Sequence, residues 1–146
     1  MIREVIKDDL KEILHLYLYL HEKSVPELTE RLMYTWNQIL EDENYHLIVN
    51  IVGDKIISSC TCIIISNLTR NGRSYALVEN VVTHIDYRGK GYATECLNYV
   101  KEIAIKQNCY KIMLFTSSND EKTLGFYRNA GYNAIDKTAF IQWLNI

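Results

Sequence analysis

No stretch of this chain approaches the ~18 consecutive apolar residues of a membrane span, and Met1-Ile2-Arg3-Glu4 lacks the basic-then-apolar order of an export signal. A basic surplus is missing too. The 16 Lys and Arg stand against 18 Asp and Glu, a net charge of −2, which argues against a general nucleic-acid or anionic-membrane binder but leaves room for a local basic site. Proline occurs once, at Pro26, and glycine six times. No repeat, linker or low-complexity tract divides the chain, so 1–146 is expected to be one domain, large enough to bury roughly two-thirds of its unfolded surface. A cytosolic location is the matching expectation.

Metal and disulfide signatures are also absent. Cys60, Cys62, Cys96 and Cys109 show no C-x-x-C spacing, and no His-x-x-x-His pair completes a site. Cys60 and Cys62 would share a strand face, too close in sequence for an unstrained bridge. They read as buried structural thiols, with no metal expected. The sequon Asn67-Leu68-Thr69 is silent in the cytosol.

What is present is a regular alternation of elements. Met1–Ile6 reads as a strand, and Asp8 as the N-cap of a helix over Asp9–Glu22 with Leu10, Ile13, Leu14, Tyr17, Leu18 and Leu20 inward, broken by Val25-Pro26. A second helix is expected over Thr29–Glu41, its charges Glu27, Glu30, Glu41, Asp42 and Glu43 forming a solvated face. His46–Val52, the turn Gly53-Asp54 and Lys55–Ser66 form a hairpin. After a polar break at Asn67–Arg73 come a strand over Ser74–Thr83, a helix over Thr94–Lys106 with Ala93, Leu97, Val100 and Ala104 on its core face, and a buried strand over Cys109–Thr116. Strand, helix and strand make a β-α-β unit, so those two strands should be parallel. A helix over Glu121–Asn129, stopped by Gly131, precedes a closing β pair, Tyr132–Ile135 with Thr138–Leu144. The fold class is α/β with a mixed sheet, in the order β-α-α-β-β-β-α-β-α-β-β.

The segment Tyr87-Arg88-Gly89-Lys90-Gly91-Tyr92-Ala93 lies where the Val- and Leu-rich strand meets the helix. Two glycines around Lys90 leave the backbone bare of β-carbons, so successive N–H groups can converge on an oxyanion. The helix N-terminus adds about half a positive charge there, and Arg88 and Lys90 add whole ones. A Walker loop would need glycine five positions before the Gly-Lys pair and Ser or Thr after it, where His84 and Gly91 stand. A dinucleotide fingerprint would need Gly or Ala at Thr94.

Instead, Arg88-Gly89-Lys90-Gly91-Tyr92-Ala93 resembles the Q/R-x-x-G-x-G/A loop of the GNAT superfamily of acyl-CoA N-acyltransferases. Gly125-Phe126-Tyr127-Arg128-Asn129-Ala130-Gly131-Tyr132 is similar to its F-Y-x-x-x-G-F/Y signature, and Glu79 to Gly89 follows its strand-to-loop pattern without a gap. The order of elements agrees with the superfamily from end to end.

The resemblance implies acetyl-CoA as cosubstrate. Backbone N–H groups of Arg88, Gly89, Lys90, Gly91, Tyr92 and Ala93 would hold its pyrophosphate, and Val81, Val82 and Thr83 would pair with the pantetheine arm. The Val81 N–H matches the oxyanion donor and Tyr127 the general acid near the sulfur. Glu79 is the candidate base, an acid in an otherwise apolar strand where burial raises a carboxyl's pKa toward neutrality. His84 corresponds to an ordinary loop residue. The family commonly has an Asn seven residues before the tyrosine that bonds the cofactor arm; here that position is Asp120, and Asn119 is the nearest match.

The expected reaction is transfer of acetyl from acetyl-CoA to the primary amine of a small molecule, by direct attack on the thioester. Wording such as Asn108-Cys109-Tyr110-Lys111-Ile112 is similar to glucosamine-phosphate acetyltransferases and makes an amino sugar phosphate one acceptor. A peptide N-terminus, a polyamine, an amino acid or an aminoglycoside stays open, as does a homodimer. The rival readings are a non-catalytic acyl-CoA sensor and a nucleotide-binding regulator.

Overall fold

The computed structural model describes residues 1–145, which divide into two compact units, Met1–Leu114 and the segment from Phe115 onward. The first holds a five-stranded sheet whose spatial order follows the chain: β1 (Ile2–Glu4), β2 (Tyr45–Val52), β3 (Lys55–Ile65), β4 (Tyr75–Thr83) and β5 (Ile112–Leu114). The first four are antiparallel neighbours. β4 and β5 are parallel, as the β-α-β reading requires, joined through α3 (Tyr92–Lys106). Among the described residues no helix is long and apolar enough to cross a membrane.

Ile56 to Cys62 of β3 are all buried, because elements cover both faces of the central strands. The two serines of that run are satisfied in place: Ser58 Oγ donates to the Val82 carbonyl at 3.0 Å and Ser59 Oγ to the Ile48 carbonyl at 2.8 Å. Cys96, Leu97, Val100 and Ala104 of α3 are buried, so the expected core stripe holds, with Cys96 added and Ala93 only half-buried. Cys60 and Cys62 are buried as well, while Cys109 is half-exposed, which corrects its reading as a buried thiol.

The N-terminal helices depart from expectation at their ends. α1 spans only Leu10–Leu16 and tightens into a 3-10 turn at Tyr17–Tyr19, so the chain leaves the helix well before Val25-Pro26. Asp8 is not the cap. Asp9 turns back instead, accepting from the Ile6 N–H at 2.7 Å and from both terminal nitrogens of Arg3 at 2.7 and 3.1 Å. Burial opposes ionisation of Asp9, yet the Arg3 bonds, the Ile6 N–H and the Arg3 charge outweigh it and hold its carboxyl below the ordinary range. α2 (Glu30–Glu41) begins where the pattern places it, with the Thr29 hydroxyl accepting from the Leu32 N–H at 3.2 Å. Its Trp36 is 3% exposed in the cluster with Leu10, Ile13 and Leu47, and its indole N–H donates to the Lys7 carbonyl at 3.2 Å.

The second unit contains α4 (Glu121–Asn129), with the expected bounds, followed by Gly131 at φ 99°. The closing β pair is not formed. Residues 132–135 and 138–144 carry no strand, since alternation of apolar residues supplies a strand's faces but not the neighbour that must take its N–H and C=O groups.

Candidate active site

β4 changes character along its length. Ala76, Leu77 and Val78 lie between β3 and β5, opposite Ile112, Met113 and Leu114. Past Val78 the pairing with β5 ends and β3 alone accompanies the strand. There the register slips: Thr61 faces Glu79 and Ser59 faces Val82, so Asn80 and Val81 together oppose the single Cys60. This is a β-bulge, which takes a residue out of the ladder and re-aims its peptide. Asn80 stands at φ 51°, a left-handed conformation that Asn tolerates better than a branched side chain. The bulge therefore falls on Val81, expected as the oxyanion donor, and the side of β4 from Glu79 to Thr83 that faces away from β3 has no β5 beside it. That open side is where a pantetheine arm was expected to pair.

After Thr83 the chain is tied back by the His84 N–H, which donates to the Ile57 carbonyl at 2.8 Å. A 3-10 turn, Ile85–Tyr87, leads into the glycine loop, and α3 starts at Tyr92, two residues earlier than expected. Gly89 and Gly91 have φ of 72° and 89°. A β-carbon on either would meet nothing within 4 Å. The conformation, rather than crowding inside the chain, thus requires glycine here.

The loop's cationic side chains are turned back on carbonyls of the chain. Arg88 Nε donates to the Thr83 carbonyl at 3.1 Å, and Lys90 Nζ to the Asp86 carbonyl at 3.1 Å while lying 5.4 Å from the Tyr87 ring centre. The main chain is the opposite. Among the described residues none accepts from the N–H of Gly89, Lys90, Gly91, Tyr92 or Ala93, and Gly91 at the N-cap has no side chain with which to cap the helix. A row of unclaimed N–H donors at the start of a helix of 15 residues is suited to an extended diphosphate.

His84, expected to be an ordinary loop residue, is a hub. Its Nδ1 accepts from the Asp86 N–H at 3.2 Å. Its Nε2 faces the Tyr19 hydroxyl at 3.1 Å, and the two rings lie 4.6 Å apart. The Lys55 ammonium is also 3.1 Å from Nε2. Tyr19 and Lys55 thus converge on the same ring nitrogen beside the loop. The sequence carries no signal for this cluster, because Tyr19 and Lys55 lie 65 and 29 residues from His84.

Other expected residues are placed as follows. Val82 is buried, and Val81 and Thr83 are half-buried, Thr83 Oγ1 lying 2.8 Å from Ser58 Oγ. Glu79 is exposed, a correction: its side chain leaves the non-core face of β4, so the burial that motivated its choice as base is missing. Asn119 and Tyr127 belong to the second unit. Asn119 is exposed before α4, while Asp120 stands at the helix N-cap. Tyr127 is half-buried on α4, its ring 5.0 Å from Phe126 and 6.4 Å from Tyr132, and its carbonyl accepts from the Tyr132 N–H at 3.1 Å. Gly131 and Tyr132 thereby fold back on the helix end and account for the spacing of the signature. Among the thiols, the bond with Cys96 and burial raise Cys60, and burial pushes Cys62 up to about 12, so neither is a nucleophile at neutral pH.

Comparison with known proteins fits this geometry. Residues 8–132 match the model of the acetyltransferase (GNAT) family. Over 83 residues, 57% of this chain, the sequence is 34% identical to a glucosamine 6-phosphate N-acetyltransferase of Trypanosoma brucei brucei, and the match spans about half (54%) of that protein's length. A solved structure from Agrobacterium tumefaciens str. C58, an acetyltransferase by name, superposes with a TM-score of 0.90 at 33% identity, covering 99% of each chain. A transcriptional regulator from Bacillus halodurans C-125 superposes with a TM-score of 0.86 at 25% identity, covering 98% of this chain and 99% of its own.

Proposed function

Because the chain belongs to the acetyltransferase (GNAT) family, we propose that it transfers the acetyl group of acetyl-CoA to the primary amine of a small molecule. The observation that carries the reading is the row of unclaimed N–H groups from Gly89 to Ala93. These would hold the pyrophosphate, with Lys55 adding charge at the rim. The pantetheine amides would pair along the open side of β4 at Val81, Val82 and Thr83.

In the reaction the amine nitrogen attacks the thioester carbonyl carbon, so a C–N bond forms and the C–S bond breaks. The Val81 N–H, re-aimed by the bulge, stabilises the oxyanion. Tyr127 gives its phenolic proton to the leaving thiolate. The proton released by the amine goes to solvent through Glu79, whose exposure suits relay through water better than a buried direct base. Asn119 would bond the cofactor arm. The Trypanosoma relative favours an amino sugar phosphate as acceptor.

Release of CoA thiol from acetyl-CoA over a panel of amines, with glucosamine 6-phosphate beside polyamines, amino acids, peptides and aminoglycosides, tests the proposal. Turnover on one class, reduced ~10² or more in Tyr127→Phe, is the expected result. The regulator named among the structural neighbours keeps a second reading in play, that of an acyl-CoA sensor. Tight CoA binding without turnover on any amine would select it.

A further inference from the structure

Asn50 is a polar side chain where an aliphatic one would leave less unmet. It lies in β2 among Ile48, Val49 and Ile51, it is fully buried, and no described residue donates to its Oδ1. A buried acceptor without a partner is destabilising, and a Val at this place would have none. The amide nitrogen, in contrast, is engaged. Asn50 Nδ2 donates to Oε2 of Glu95 and lies 3.5 Å from the Tyr92 carbonyl, so it sits beneath the first turn of α3. Its cross-strand partner Ser58 meets the same helix, with Cys96 Sγ 3.9 Å from Ser58 Oγ. All of these residues belong to the first unit.

Glu95 is the one acidic residue of that turn. It follows Tyr92 by three residues, about 4.5 Å along the helix axis at roughly 1.5 Å per residue. That is well within the ~8 Å over which charges act on one another in physiological salt. A free carboxylate there opposes a phosphate ligand in two ways. It repels the incoming anion, and it can swing back to cap the unclaimed N–H groups from Gly89 to Ala93, as acidic residues near a helix start do. Although Glu95 is an exposed residue, its carboxylate is turned inward to Asn50 instead. We propose that Asn50 is a positioning residue of the pyrophosphate site, drawing the Glu95 carboxylate beneath α3 and keeping the donor row clear for the ligand. This rests on the reading of that row as the coenzyme A site. The unmet Oδ1 is then the consequence of a bond that serves binding rather than stability.

Calorimetry of coenzyme A binding to the full chain tests the role. Asn50→Val frees the carboxylate, and affinity should fall about tenfold, the scale of one like charge close to an anion site. Adding Glu95→Gln to Asn50→Val should return affinity to within about threefold of wild type, which a merely structural loss at Asn50 would not allow. An Asn50→Val chain that binds as wild type does, or a loss that Glu95→Gln fails to restore, overturns the positioning role. Where Asn50→Val does not fold, two surface variants decide. Glu95→Asp keeps the charge but is one methylene too short to reach Asn50, and it should bind about fivefold more weakly than Glu95→Gln. Equal affinity of those two overturns the role as well. A wild-type chain that does not bind coenzyme A overturns the reading of the loop itself, and the positioning role with it.

Discussion

The two halves of β4 both pair with β3 and do opposite things. Ala76 to Val78 are clasped by strands on both sides, with Ala76 and Val78 buried. Glu79 to Thr83 pair with β3 alone, carry a bulge, and lead to the Gly89–Ala93 row, whose N–H groups no described residue takes up. The first half is complete as it stands and contributes stability. The second leaves its hydrogen-bonding capacity for a ligand. A single strand can therefore join a core to a binding site simply by outlasting one of its neighbours.

Substitutions should separate the halves. The largest effect is expected for Gly91→Val: a branched side chain at φ 89° is strained by about 1–3 kcal/mol and displaces the row of donors, so affinity for CoA by calorimetry should fall roughly 10²-fold or more. Unchanged affinity would remove the loop from the binding site. Next is Asn80→Val, which disfavours the positive φ of the bulge; turnover should drop about 10², the usual worth of an oxyanion donor, while Asn80→Gly stays near wild type. Equal turnover in both variants would dissociate the bulge from catalysis. In the closed half, Val78→Ala should cost about 1–2 kcal/mol in urea denaturation and leave turnover per folded molecule intact. A loss of turnover there would erase the distinction between the halves.

The smallest effect tests the opposite end of the sheet. The Asp9 carboxyl is held lower in the fold than in the unfolded chain, so its stabilisation is present in full above the unfolded value of about 3.9 and is lost as pH falls through the folded one. Asp9→Asn should therefore be less stable than wild type by about 1–2 kcal/mol at pH 7, the gap closing below about pH 4, with no change in CoA binding. A pH-independent difference would locate the effect in packing instead.

What was legible in the sequence was what local residues decide. The hairpin at Gly53-Asp54, the start of α2 at Thr29, both ends of α4 and the glycine loop all follow from short-range conformational preference or from a motif. The first helix departs from its expected bounds at both ends, because Asp9 answers to Arg3 across a turn and because Tyr17–Tyr19 tighten into a 3-10 turn that periodicity does not distinguish from helix. The bulge at Asn80 depends on Cys60 across the ladder, and the exposure of Glu79 on which face of β4 the core occupies. The His84 cluster depends on residues far along the chain. In each case the missing information was the identity of a partner, which spacing within one segment does not contain.

The agreement between strand order in space and along the chain bears on how this sheet is assembled. β2, β3 and β4 meet through a hairpin and one further short connection, so each can dock on a neighbour already in place, at little cost in loop closure. Two junctions lie outside that sequence of local steps: β1 with β2, closed around both N-terminal helices, and β4 with β5, closed around α3. Low contact order at the centre and long closures at the margins favour a meander that condenses first. The β4–β5 junction, where the open half of β4 begins, would then be among the last contacts to set during folding, and during synthesis from the N-terminus.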